Sequence, residues 1–121
     1  MRDDLLQRAL GVLEAAGTDG VTRDELAAAL GVHERVARAA LSALREQAVA
    51  AVVTLPNHGR GPRRYRLAQN VQEYRQYRAE LISRIVHLAR AVRGMDRAWK
   101  FRDPMLEPLL ERLLDLEVED A

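Results

Sequence analysis

The sequence predicts a mainly helical protein with one small β-hairpin, followed by a long helix and a second, leucine-rich helix. Three observations point there. Apolar residues recur at helical spacing through the first fifty positions, punctuated by a helix cap and glycines. The period then switches to short β-branched and aromatic segments on either side of a Pro/Gly-rich stretch. From Val71 onward a seven-residue apolar repeat takes over. At 121 residues the chain has room for one compact domain, residues 1–69, plus a helical dimerisation or accessory region, residues 70–121.

In DLLQRALGVLEAA, residues 4–16, Leu5, Leu6, Ala9, Leu10 and Leu13 fall on one helical face, and Gly17 with Gly20 ends the segment. In VTRDELAAALGV, Thr22 followed three residues later by Glu25 has the form of a capping box. Leu26, Ala29 and Leu30 supply the buried face of this second helix, and Gly31 breaks it at a sharp turn. A third helix comes next, HERVARAALSALREQA, with Val36, Ala40, Leu41 and Leu44 as its inner stripe. Two short helices joined by a tight Gly turn form a helix-turn-helix layout.

AVVTL and RRYRL are strand-like and flank PNHGRGP, so they read as a hairpin, with Val53 and Leu55 on one side and Tyr65 and Leu67 on the return. Val71, Tyr74, Arg78, Leu81, Ile85, Leu88, Val92 and Met95 keep alternating spacings of three and four, a heptad seam widened by Tyr77, Ile82, Val86 and Ala89. Gly94 is expected to interrupt this helix, with MDRAWKFRD as a connection. Asp103-Pro104 reads as a cap followed by proline at the first helical position, opening a helix that carries Leu106, Leu109, Leu110, Leu113, Leu114 and Leu116.

Charge is distributed unevenly behind a net value of +1. Residues 1–50 carry a net −2, residues 51–70 hold four Arg and no acid, residues 71–103 carry a net +4, and residues 104–121 a net −5. Lys100 is the only lysine, so the abundance of Arg reflects overall composition and its placement is what carries information. Absence of Cys excludes disulfides and thiolate chemistry. No signal peptide is recognisable, and no apolar run reaches the roughly 20 residues of a membrane span. A cytoplasmic, nucleoid-associated location is expected.

Helix, capped helix, Gly turn, third helix and basic hairpin together resemble the winged helix-turn-helix superfamily over residues 4–68. TRDELAAALGV and HERVARAALSALREQAVAAVV are similar to its common core, and GRGPRRYRL to the wing of PadR-like bacterial transcriptional regulators. A long dimerisation helix after the wing is also found there. The chain departs from that pattern at His33, where a small polar residue usually opens the recognition helix, and at Ala48, where Gly usually ends it. The N-terminal helix does not resemble the PadR pattern.

The resemblance implies a sequence-specific double-stranded DNA-binding protein, a homodimeric transcriptional regulator with repression favoured over activation. Its recognition helix, residues 33–46, lies in the major groove, and its wing, residues 55–66, on the minor groove or backbone. His33, Arg35, Arg38 and Ser42 are then the base and phosphate contacts; a bidentate Arg–guanine pair discriminates by roughly 1–3 kcal/mol. Ala37 and Ala39 stand where longer polar readers are absent. Arg60, between two glycines, is the candidate for a minor groove, supported by His58, Arg63 and Arg64. The alternative for each Arg is a solvated, charge-paired surface, such as Glu34 with Arg38 at i,i+4.

Tyr74, Leu81, Ile85, Leu88, Val92, Leu109 and Leu113 are the candidate dimer contacts, against the alternative of helices folding back on their own domain. Arg78 in the seam reads either as a register-setting charge or as an offset stripe. Trp99 and Phe101 read as core anchors or as the lining of an effector pocket, and the acidic tail Glu117, Glu119 and Asp120 as a solvated end or a mask for the wing. Among enzyme signatures, the scattered His33, His58 and His87 lack metal-ligand spacing, GRGPRR leads into a strand rather than a phosphate loop, and no nucleophile motif occurs, so neither catalysis nor a cofactor or metal is expected. Other uses of the same sequence pattern are a winged-helix assembly module and a replication or segregation factor of a plasmid or phage.

Overall fold

The computed structural model describes residues 2–55 and 61–119, with side chains described as far as Leu116. The described residues form five helices and three strands: α1 (Asp3–Ala16), β1 (Val21–Thr22), α2 (Arg23–Leu30), α3 (Glu34–Glu46), β2 (Val52–Thr54), β3 (Arg64–Leu67), α4 (Val71–Ala98) and α5 (Glu107–Glu119). Two compact units result, Met1–Tyr74 and Arg75–Ala121, with the break inside α4. No described helix is long and apolar enough to cross a membrane.

The first unit closes around α1, α2 and α3. Leu6, Ala9 and Leu13 of α1 meet Leu26, Ala27 and Leu30 of α2 and Ala37, Ala40, Leu41 and Leu44 of α3 in one buried cluster. Alanines at contact positions let helix axes approach closely, because axis separation depends on side-chain size. The inner stripe of α3 differs from the expected one: it includes Ala37, which is fully buried, while Val36 is only half-buried. Ala37 therefore faces the core and is no substitute for a base-reading residue.

Local signals set the helix ends. Thr22 Oγ1 accepts from the Glu25 amide at 3.1 Å and caps α2. At the other end Gly31 takes φ 68°, ψ 36°, and the amide of Val32 donates to Ala27 O at 3.0 Å, which satisfies the last carbonyls of the helix. Arg8 of α1 adds a bond from its guanidinium to Leu30 O at 2.9 Å.

The sheet has three antiparallel strands in the order β1-β3-β2, so the expected hairpin gains a third strand. Val21 pairs with Tyr65 and Thr22 with Arg64, while Val52, Val53 and Thr54 pair with Leu67, Arg66 and Tyr65. A two-residue strand has no periodicity to detect, and Thr22 serves at once as strand residue and helix cap. Gly20 explains why β1 can reach β3: a Cβ there would lie 2.6 Å from Tyr65 O, and its φ of 68° also favours glycine.

Gly94 does not interrupt α4, which runs 28 residues to Ala98. An exposed mid-helix glycine costs roughly 1 kcal/mol and is outweighed by the rest of so long a helix. The actual stop is Lys100, at φ 55°, with the Phe101 amide donating to Asp96 O at 2.8 Å. Asp103 does act as a cap: its Oδ1 accepts from the amides of Met105 and Leu106, at 3.1 and 3.3 Å. A turn over residues 104–106 then precedes α5, which begins at Glu107 rather than at Pro104.

Candidate nucleic-acid interface

Helix α3 is the most amphipathic of the short helices, with a fully apolar inner face and Arg35, Arg38, Ala39, Ser42 and Glu46 exposed on the outer one. His33 is its N-cap: Nδ1 accepts from the Arg35 amide at 3.0 Å, leaving Nε2 directed away from that bond. A ring that accepts through Nδ1 carries its proton on Nε2. Glu34 sits 3.8 Å from Arg38 and 3.6 Å from Arg23 of α2, so the first turn is partly charge-compensated. Glu46, an acid at the far end of the exposed line, was not among the expected site residues, although its spacing from Ser42 signals it.

The end of α3 is tied to the sheet. Arg45 donates from Nε to Val52 O at 2.8 Å and from Nη2 to Thr54 Oγ1 at 3.3 Å, which fixes β2 against the helix. Ala48 supplies the positive φ, 60°, that turns the chain into β2, with the Val49 amide donating to Leu44 O at 3.0 Å. Thus Ala48 performs in place the turn that glycine usually makes.

On the β2–β3 hairpin, His58 and Arg60 lie outside the described residues. Arg63 is exposed and makes no hydrogen bond or ion pair among the described residues. Arg64 differs: Nε donates to Asp19 O at 2.9 Å, Nη2 to Gly20 O at 3.0 Å, and Nη1 lies 3.1 Å from the Glu25 carboxylate. Arg66 repeats the arrangement one step along, bonding Thr18 O at 2.8 Å and forming a half-buried ion pair with Glu73 in the first turn of α4. The hydrogen bond from the Arg66 guanidinium holds the Glu73 carboxyl below its ordinary value; partial burial opposes this, and the Gln69 amide and the Arg66 charge add to it. Strand alternation is the signal that separates these roles, since Arg64 and Arg66 share one side of β3 while Tyr65 and Leu67 pack against the core.

In the second unit the heptad residues are turned outward. Leu81, Ile85, Leu88, Val92 and Met95 are all exposed, Leu88 at 68% and Met95 at 63%, and Tyr74 continues the line into the first unit. The residues that widen the seam behave oppositely: Tyr77, Val86 and Ala89 are buried and Ile82 is half-buried. On α5, Leu109 is exposed and Leu113 half-buried. Phe101 lines a cleft of about 220 Å³ with Arg93, Asp96, Arg97, Glu107, Leu110 and Glu111, whereas Trp99 is 86% exposed and takes no part in it. Among the described residues no cluster of His, Asp and Glu is arranged to hold a metal ion.

These surfaces define a class in physical terms: a small capped-helix domain with an arginine-bearing helix and hairpin, joined to a long helix with an uncovered apolar seam. No protein-family model and no curated protein sequence matches the chain.

Proposed function

We propose that the protein binds double-stranded DNA as a homodimer and regulates transcription, repression being favoured over activation. In this reading the first unit is a winged helix-turn-helix, α3 the recognition helix and the β2–β3 hairpin the wing. The observation that carries it is the contrast within α3. Its inner face is buried to the last alanine, while Arg35, Arg38 and Ser42 project from the other face of a helix whose ends are fixed by His33 and Arg45. A rigidly held helix with outward guanidinium groups suits major-groove readout, where Arg donates twice to guanine. With Glu34 and Glu46 flanking only two arginines, one copy discriminates weakly, and a second copy supplies the remaining affinity.

The exposed seam of α4 supports the dimer. Trp99, Met95 and Leu88 alone leave on the order of several hundred Å² of apolar surface in water, a patch size that marks interaction sites. A heptad line is self-complementary, so a second copy of the same helix covers it. Such a protein acts in the cytoplasm, on the nucleoid.

Selection of bound DNA from random duplexes, with affinity measured against salt, tests the reading. A two-fold symmetric site with a salt slope supports it; no enrichment and no slope overturn it. The amount of apolar surface on α4 and α5 favours one second reading, an assembly module in which the helices are the working surface. Arg38→Ala distinguishes the two, since it weakens DNA binding in the first and spares partner binding in the second.

A further inference from the structure

We infer that Arg64 and Arg66 are positioning residues that hold the hairpin, leaving Arg63 as its phosphate contact among the described residues. The inference rests on the DNA-binding reading above and divides the labour of three neighbouring arginines. Arg64 and Arg66 leave β3 on the same side, and each guanidinium makes the same kind of double attachment. Each takes backbone carbonyls of the turn after α1 together with a carboxylate in the first turn of another helix: Asp19, Gly20 and Glu25 for Arg64, Thr18 and Glu73 for Arg66. Three successive carbonyls, Thr18 to Gly20, are therefore held by two side chains of one strand.

All three nitrogens of the Arg64 guanidinium donate within the protein, so a phosphate would have to share the group with Glu25 and two carbonyls. The fork also explains the residue type. A lysine ammonium is a single point of charge and cannot span two carbonyls and a carboxylate in fixed directions. The attachment has a further link, because Glu25 accepts from Thr22 Oγ1 at 3.2 Å, and Thr22 is both the cap of α2 and the strand partner of Arg64. The hairpin and the helix-turn-helix are thereby fastened at one point. Arg63, one residue earlier, makes no such bond among the described residues. Fastening β3 lowers the ordering cost when Arg63 meets DNA, which is a gain in affinity made without a phosphate contact.

The experiment measures DNA affinity against salt for the full chain and for Arg63→Ala, Arg64→Ala, Arg64→Lys, Arg66→Ala and the Arg63→Ala/Arg64→Ala pair. Each is assayed well below its unfolding temperature, with folding checked by circular dichroism. Because the slope counts phosphates at about 0.9 each, Arg63→Ala lowers it by about that amount. Arg64→Ala, Arg64→Lys and Arg66→Ala weaken binding about 5- to 10-fold with an unchanged slope, as expected for lost preorganisation. In the Arg63→Ala background, Arg64→Ala adds a smaller loss than in the wild-type chain, since part of its effect passes through Arg63. Hydrogen exchange at the Leu55 amide, which donates to Arg64 O at 2.8 Å, quickens in Arg64→Ala. A slope that drops in Arg64→Ala makes it a direct phosphate contact and overturns the inference, as does an undiminished loss in the paired variant or unaltered exchange at Leu55. Absence of any slope in the wild-type chain is a different failure, that of the DNA-binding reading itself.

Discussion

The large apolar residues of the two units have opposite fates. Leu6, Leu13, Leu26 and Leu44 of the first are almost wholly buried, whereas Leu88, Met95 and Trp99 of the second stand mostly in water. Residue type does not separate them; what differs is the number of elements available to cover each face. Three helices and a sheet enclose the first core from several directions. A long helix and one shorter helix cannot enclose a heptad seam and its widened flank together, and here the flank is buried and the seam is not. The first unit is thus complete as a core, while the second carries an apolar line that stands in water.

The largest effects expected from substitution test that contrast directly. Leu26→Ala opens a cavity in the closed core and lowers the free energy of urea unfolding by about 3 kcal/mol. Ile85→Asp/Leu88→Asp leaves hydrogen-exchange protection in α1 to α3 at wild-type level, because those side chains are outside that core. Sedimentation equilibrium shows its effect instead: a dimer dissociation constant raised at least about 100-fold, as expected when two central apolar contacts are replaced by charges. A wild-type chain that is monomeric at high micromolar concentration breaks the comparison, for the seam then needs no cover.

That same contrast explains what the residues disclosed in advance. Thr22, Gly31 and the helical spacings of α1 to α3 are local signals, each acting within one or two turns, and they place the first three helices. β1 was not legible, since two residues hold no period and its existence depends on Gly20 meeting Tyr65 some forty-five positions away. Glycine marks the ends of α1 and α2, at Gly17 and Gly31, but not the others: Gly94 lies inside α4, while Ala48 and Lys100 make turns with positive φ. For the candidate site, Arg35, Arg38 and Ser42 lie on the exposed face that their spacing predicts. Separating Arg64 from Arg63 required the partners, Glu25 and two carbonyls, which come from distant positions. The heptad line was visible as a repeat, but which of its flanks is buried depends on the fold.

A smaller effect sharpens the comparison at the end of the first unit, where Arg66 and Glu73 form its half-buried ion pair. The Glu73 carboxyl is held below its ordinary value of 4.5, so the pair's contribution is complete above that pH and is lost as pH falls through the lowered folded value. Glu73→Gln therefore costs about 1 kcal/mol at neutral pH and flattens the acid limb of the stability curve below pH 4.5. Urea unfolding at several pH values measures both. An acid limb unchanged by the substitution removes Glu73 as a source of that pH dependence.

The smallest expected effect has the opposite sign. Ala48 ends α3 with φ 60°, and the bonds around it, Val49 N–H to Leu44 O and Ala48 N–H to Arg45 O, are those of a glycine-type helix stop. An alanine held in the left-handed region costs roughly 1–2 kcal/mol that glycine does not. Glycine gives back part of this through the greater freedom of its unfolded chain. Ala48 is exposed, so removing its methyl group opens no cavity. Ala48→Gly accordingly stabilises the first unit by about 0.5–1 kcal/mol, a rise of several degrees in the thermal midpoint. Lys100 ends α4 in the same way at φ 55°, and Lys100→Gly relieves a strain of the same kind in the second unit. There the midpoint itself, with or without the substitution, rises with protein concentration if the seam is closed by a second copy. A midpoint of the second unit that does not move with concentration would mean that it reaches its final packing within one chain.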